Sequence, residues 1–294
     1  MNASPPVSTL LTGAGGQLGR ELRAATPEGW ALLPYTSAML DVTSAEAVEA
    51  ILTAVRPQVV IHAAAYTAVD AAENDPERAR LVNTRGAANV AEAARRIDAR
   101  MVHISTDYVF GGTQGRAYLP DDAPAPLSVY GRSKLDGERE VVRCRPEAVI
   151  LRSAWLYSSH GSNFVLQMLE RMRAGQALRV VSDQVGSPTW ARSLADAVWR
   201  AAARPEVHGV HHWTDAGVAT WYDFAVAVQE EAMTLNLLTN GVSIMPVTSD
   251  DYRTAARRPG FSVLDKRATW AALDLPVHHW RVNLRRMLQE LAGA

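Results

Sequence analysis

The chain contains a single cysteine, Cys144, in 294 residues. One thiol excludes an internal disulfide, a cysteine-rich zinc site and a dithiol redox pair, and it suits a reducing compartment, so a cytoplasmic location is expected. Neither sign of charge is in excess, with 30 Lys and Arg against 31 Asp and Glu. Without a basic field, a nucleic-acid polymer or a membrane surface is not an expected partner. No run approaches the ~18 apolar residues of a membrane span, and Met1 to Pro6 lacks the basic region and apolar stretch of a secretory signal. Internal repeats and low-complexity tracts are also missing. What is present is a globular composition, 48% apolar and 21% charged, in a chain long enough for one large domain or two modest ones at ~100–200 residues each.

Along the chain, strands and helices alternate. Val7 to Thr12 is an apolar run that ends at Gly13, and helical spacing begins at Leu18. Thr43 with Glu46 reads as a capping box, followed by Val48, Ile51, Leu52 and Val55 at helical spacing and then a strand from Val59 to Ala65. Helices are expected over Glu77 to Ile97 and about Ser128 to Val142, with strands at Met101 to Ser105 and Ala148 to Arg152. Strands joined by crossover helices form a parallel sheet covered on both faces, an α/β fold of the Rossmann-like, doubly wound type. After Arg152 the rhythm changes to a helix near Asn163 to Arg173, a Gly/Pro-punctuated stretch at Ser182 to Thr189, a strand at His208 to Trp213, and a terminal helix from Arg281. We expect a dinucleotide-binding domain over 7–153, to which the segment near 190–215 returns. A smaller, mainly helical C-terminal substrate-binding domain takes 154–189 and 216–294.

Two motifs carry chemistry. Gly13, Gly16 and Gly19 stand where the first strand turns into the first helix, and residues without side chains there let backbone N–H groups approach a pyrophosphate. Tyr130 and Lys134, four apart on a predicted helix, project toward one cleft, where the lysine cation is expected to favour the phenolate and lower the tyrosine pKa. Ser105 and Thr106 end a strand at its C-terminal edge, where ligands sit in open α/β sheets.

These residues, with Asn83 to Asn89, resemble an extended short-chain dehydrogenase/reductase. The strings Ala63 to Asp70, Ser105 to Phe110, Asp183 to Thr189 and Arg258-Pro259 are similar to those of the dTDP-4-dehydrorhamnose reductases over nearly the whole chain. The resemblance implies reduction of dTDP-4-dehydro-L-rhamnose to dTDP-L-rhamnose by NADPH or NADH, in the supply of rhamnose for cell-surface polysaccharide. It implies cofactor contacts at Gly13, Gly16, Gln17, Leu18, Gly19, Asp41, Val42, Ala63, Ala64, Ala65, Tyr66, Thr67, Ser105, Tyr130 and Lys134. Tyr130, Lys134 and Thr106 would be catalytic, and the dTDP-sugar would meet Thr106, Asp107, Tyr130, Trp155, Asn163 and Arg258. A homodimer is the assembly that the family allows.

The chain also departs from that pattern. Leu33-Pro34-Tyr35 ends the second strand where many relatives carry an acid, so a 2′-phosphate is less repelled; Arg20, Thr36 and Ser37 are the groups expected to receive it. Some members join subunits through magnesium held by carboxylates. Here Glu21 and Glu290 match, but Arg192 takes the third place and repels a metal, so no metal site is expected. His62 is read as structural, as are the pairs His211-His212 and His278-His279, which point to opposite faces of extended backbone. Trp213, Trp221 and Trp280 are read as core, whereas Trp155 follows a strand end and can pack on a sugar. Two rival readings stand beside the reductase. One is a dehydratase or epimerase of the same superfamily, although Tyr108 replaces the second carboxylate of the dehydratase strand end. The other is a non-catalytic regulatory subunit related to the reductases.

Overall fold

The computed structural model describes residues 5–293. Strands β1 (Val7–Thr12), β2 (Trp30–Tyr35), β3 (Val59–His62), β4 (Arg100–Thr106) and β5 (Val149–Ser153) join Gly209–His212 in a six-stranded sheet. Its order is Gly209–His212, β5, β4, β3, β1, β2, and every pairing is parallel. Alternate side chains enter opposite layers, as the pleat requires. Leu11, Ile61, Val102 and Leu151 pack with helices α1 (Gln17–Ala24) and Ala191–Ala203. Leu10, Val60, Met101 and Ile150 pack with α2 (Ala45–Val55), Ala87–Arg96 and Val129–Cys144. Each such buried aliphatic side chain contributes about 1.5–3 kcal/mol to folding. Pro34 is accommodated because β2 is the edge strand and pairs only with β1.

The chain continues from β1 to β2 on one side and then crosses to β3 on the other, so the C-terminal ends of β1 and β3 flank a topological switch point. Ligands bind at such crevices. After β5 the chain builds a second core from Tyr157, Val165, Leu169, Phe224 and Leu284. It returns through the Ala191–Ala203 helix, and Gly209–His212 pairs in register with Val149–Arg152.

Four local expectations give way. Ser44, not Thr43, caps α2: its side chain accepts from the Ala47 N–H, while Thr43 donates to Asp41. β3 stops at His62 instead of continuing to Ala65, because Ala63 to Ala65 leave the sheet to wall the cleft. The helix expected over Glu77 to Ile97 carries a widened, π-type turn at Leu81–Gly86. Leu178–Val181 and Ile244–Val247, unanticipated as strands, pair in parallel beside the second core.

Candidate active site

The glycine turn is built by close approach. Gly13 has φ of +74°, and a Cβ on it would come within 2.6 Å of the Ala64 nitrogen; one on Gly19 would lie 2.3 Å from the Gly13 carbonyl oxygen. Gly16 caps α1 and donates its N–H to Gly13 at 3.0 Å. Bare backbone N–H groups and the positive end of α1 therefore face a cleft of about 840 Å³, a size typical of small-ligand sites. The cradle fits a dinucleotide, since the two glycines let the turn pack tightly on Ala63-Ala64 and on itself, which leaves bare backbone and the α1 N-terminus to face a pyrophosphate. Gln17, Leu18, Asp41, Val42, Ala63, Ala64, Ala65, Tyr66 and Thr67 line the same cleft.

Two asparagines fix that wall. Asn83, in the π-type turn, accepts from the Tyr66 N–H at 2.8 Å and donates to the Tyr66 carbonyl at 3.1 Å and to Ser133 Oγ at 2.9 Å. Asn89 donates to the Val42 and Thr43 carbonyls at 3.0 and 3.1 Å. These positioning roles were not assigned from sequence; the available signal was a pair of asparagines on the buried side of an apolar helix. Gly137 permits the approach, because a Cβ there would sit 2.2 Å from the Asn83 carbonyl oxygen.

On the opposite wall, Ser128 caps the Val129–Cys144 helix by accepting from Gly131 N–H, and Tyr130 and Lys134 follow one turn apart. Lys134 is buried and donates from Nζ to the Ile104 carbonyl at 2.7 Å; burial pulls its pKa down to about 8. Tyr130 differs from expectation. Desolvation dominates and pushes the phenol up to about 12, opposed by the neighbouring Thr106 hydroxyl, so no lowering by Lys134 is seen. The phenol is therefore fully protonated at neutral pH. Thr106 Oγ1 accepts from the Tyr108 N–H at 3.2 Å and faces Asp107 Oδ1 at 3.1 Å. Burial raises Asp107 to about 7, and its Oδ2 is buried without a protein partner.

A buried ion pair underlies this wall. Glu138 and Arg152, both nearly fully buried, meet at 2.7 Å, and Ser105 Oγ donates to Glu138 Oε1 at 2.5 Å. The Ser105 hydroxyl is thus engaged inside the fold, although the residue lines the cleft. His62 accepts or donates at Thr12 Oγ1 over 2.7 Å and stacks on His103 with ring centroids 5.2 Å apart. Burial drives the His62 pKa down to about 3, which leaves the ring neutral.

Across the cleft, Gln17 Oε1 accepts from Ser158 Oγ at 3.1 Å and from Asn163 Nδ2 at 3.0 Å, tying the glycine turn to the helix Phe164–Arg173. Asn163 Nδ2 also donates to the Ser158 and His160 carbonyls, and its Oδ1 accepts from the Leu166 N–H. Trp155 lines the cleft. Trp221 is core only in part: it packs on the second apolar core but is half-buried and lines the cleft beside Trp155, while Trp213 and Trp280 are buried. Arg258 forms a bidentate pair with Asp70, at 2.7 and 3.1 Å, and approaches the Tyr108 hydroxyl. Glu21 is buried with Glu290 and Arg192 nearby, and Arg192 pairs with Asp196 at 3.5 Å. A guanidinium in that group does not fit a carboxylate-held magnesium. Among the described residues, no cluster of His, Cys, Asp and Glu is placed to hold a metal ion.

A doubly wound parallel sheet, a glycine turn at its switch point and a Tyr-x-x-x-Lys helix beside a strand-end threonine define a nicotinamide-dependent oxidoreductase of the extended short-chain dehydrogenase/reductase class. Residues 7–292 match the family described as RmlD substrate binding domain. A probable dTDP-4,6-dihydroxy-2-methyloxan-3-one 4-ketoreductase of Streptomyces antibioticus is 43% identical, covering 97% of this chain and 96% of its own. The dTDP-4-dehydrorhamnose reductase of Escherichia coli K12 is 38% identical, over 97% of this chain and 98% of its own. The solved dTDP-4-dehydrorhamnose reductase of Bacillus anthracis, in complex with NADP, superposes with a TM-score of 0.92 at 33% identity, covering 97% and 99% of the two chains. The chain belongs to the RmlD family, that of the dTDP-4-dehydrorhamnose reductases.

Proposed function

We propose that this protein reduces the 4-keto group of dTDP-4-dehydro-L-rhamnose to give dTDP-L-rhamnose, with NADPH as reductant. The observation that carries the reading is a phenol held protonated at the cleft wall, with Thr106 beside it and Lys134 one helical turn away. When bound, the cofactor supplies the hydride. Tyr130 delivers the proton to the alkoxide that develops at C4, and Thr106 hydrogen-bonds the same oxygen. Lys134, charged below about pH 8 and anchored to the end of β4, supplies positive potential to the phenolate left behind. Asp107 and Trp155 face the sugar. Asn163 acts by orienting Gln17, and Arg258 by holding Tyr108 against the site.

Residues 7–153 with 190–215 carry the cofactor in this reading, and 154–189 with 216–294 the sugar nucleotide; the second apolar core supports that division, although the helix Arg267–Leu273 packs through Leu273 on the sheet's core and Trp190 packs in the second one. The solitary buried thiol supports a cytoplasmic location, and the family resemblance supports a homodimer.

The test is stoichiometry. A dehydratase or epimerase returns its hydride to the product, whereas this enzyme consumes one NADPH per sugar reduced. Nucleotide absorbance and product, followed together, decide between them; product without net cofactor oxidation overturns the reading, and a complete lack of cofactor oxidation favours a regulatory subunit.

Cofactor choice gives a second expected result. Thr36, Ser37 and Arg78 line the cleft beyond β2, while Arg20, also expected there, donates to the Gly15 carbonyl at 3.3 Å. With no acid at the strand end, NADPH is used at least as well as NADH. Paired kcat/KM measurements check this, and a strong preference for NADH contradicts it.

A further inference from the structure

Trp155 sits in an unusual backbone conformation. Its φ is +48°, in the left-handed region that a bulky side chain rarely enters. Something must hold it there. One restraint is its carbonyl, which accepts from the Thr189 N–H at 3.1 Å. A second is a ring: the Trp155 and Trp221 indoles are parallel to within 6°, with centroids 3.6 Å apart. So close an overlay is less favourable electrostatically than an offset or edge-on pair, so neighbours must impose it. Trp221 is itself pinned, its Nε1 donating to Gln184 Oε1 at 3.2 Å, while Gln184 Nε2 donates to Ser249 Oγ at 2.9 Å and Phe164 packs on Trp221 at 4.7 Å.

The third restraint is an absence of atoms. A Cβ on Gly186 would fall 2.5 to 2.8 Å from Cε2, Nε1 and Cζ2 of the Trp155 indole. Gly186 has an ordinary φ, so its backbone does not demand glycine. The demand comes from the tryptophan. The indole thus lies in a slot between the Gly186 backbone and the Trp221 ring, and both tryptophans border the cleft.

We propose that Gly186 and Trp221 are positioning residues for the sugar nucleotide: together they clamp the Trp155 indole in its slot and so fix the wall against which the substrate packs. The inference rests on the reading that Trp155 meets the sugar. It goes further by assigning the placement of that ring to two residues that need not touch substrate.

The experiment uses the full-length enzyme. Two closely stacked indoles give an excitonic couplet in circular dichroism, which reports the stack without turnover. Gly186→Ala abolishes or strongly weakens the couplet and raises KM for the dTDP-sugar about tenfold, with the NADPH Kd unchanged. Trp221→Leu, which opens the slot from the other side, raises the same KM, and Trp221→Phe, retaining a flat ring, recovers most of it. A displaced couplet with wild-type KM in Gly186→Ala, or wild-type KM in Trp221→Leu, overturns the inference. Trp155→Ala separates the two levels: an unchanged KM there shows that the underlying assignment of Trp155 to the sugar is wrong.

Discussion

Replacing Tyr130 with phenylalanine lowers turnover by about 10²-fold or more while leaving NADPH affinity nearly intact. The substitution removes one oxygen and keeps the ring that packs edge-on against Tyr108 at 5.7 Å. Binding surface therefore survives and the proton donor does not. The pH dependence follows from the neighbours. Tyr130 is held up at about 12 by burial, so its proton is present throughout the working range. Lys134 has its pKa lowered to about 8, so its charge is complete well below that pH and is lost as pH rises through it. Reductive turnover of the unmodified enzyme accordingly holds to about pH 8 and declines above it. Steady-state rates for the variant, with cofactor binding followed by fluorescence titration, check the assignment; turnover near that of the unmodified enzyme removes Tyr130 from the chemistry.

Arg152→Met destabilises the fold by about 3–5 kcal/mol, because it strands the Glu138 carboxylate in the interior. Glu138 and Arg152 are each about 95% buried at their side chains, and the guanidinium also donates to the Pro120 carbonyl. Removing one partner leaves an uncompensated charge, whereas replacing both with apolar residues, as in Glu138→Leu with Arg152→Met, costs much less. Urea unfolding reads this as a lower midpoint with little change in slope for the single variant, and a partly recovered midpoint for the double one. A loss below about 1 kcal/mol in the single variant would show that water reaches the pair.

The sheet was legible because its strands are nearly continuous apolar runs closed by turn residues. Val7–Thr12 and the helix starts near Ser128 and Asn163 are local facts of sequence. The glycine turn was legible for the same reason. What could not be read depends on partners distant in the chain. Ser44 wins the α2 cap over Thr43 because Asp41 captures Thr43. The π-type turn exists where Asn83 reaches Tyr66 and Ser133, a residue 50 positions away. Trp221 is a residue type typical of core, and only the ring of Trp155, stacked on it at the cleft, gives it another role. The direction of the Tyr130 shift was missed because spacing reveals a nearby lysine but says nothing of how far the phenol is withdrawn from water.

The pairing of Gly209–His212 with β5 also bears on how the chain is made. Val149–Ser153 emerges from the ribosome with one edge unpaired, and more than fifty residues, many of them belonging to the second core, must follow before its neighbour is synthesised. Until then the Leu151 face also lacks Trp213 and the Ala191–Ala203 helix, with which it shares a core. An open parallel edge of this kind is a template for pairing with other chains, and non-local closure is slow. Completion of the sheet therefore waits on the chain beyond β5, and the interval between residues 153 and 209 is expected to be when the nascent chain is most prone to aggregate.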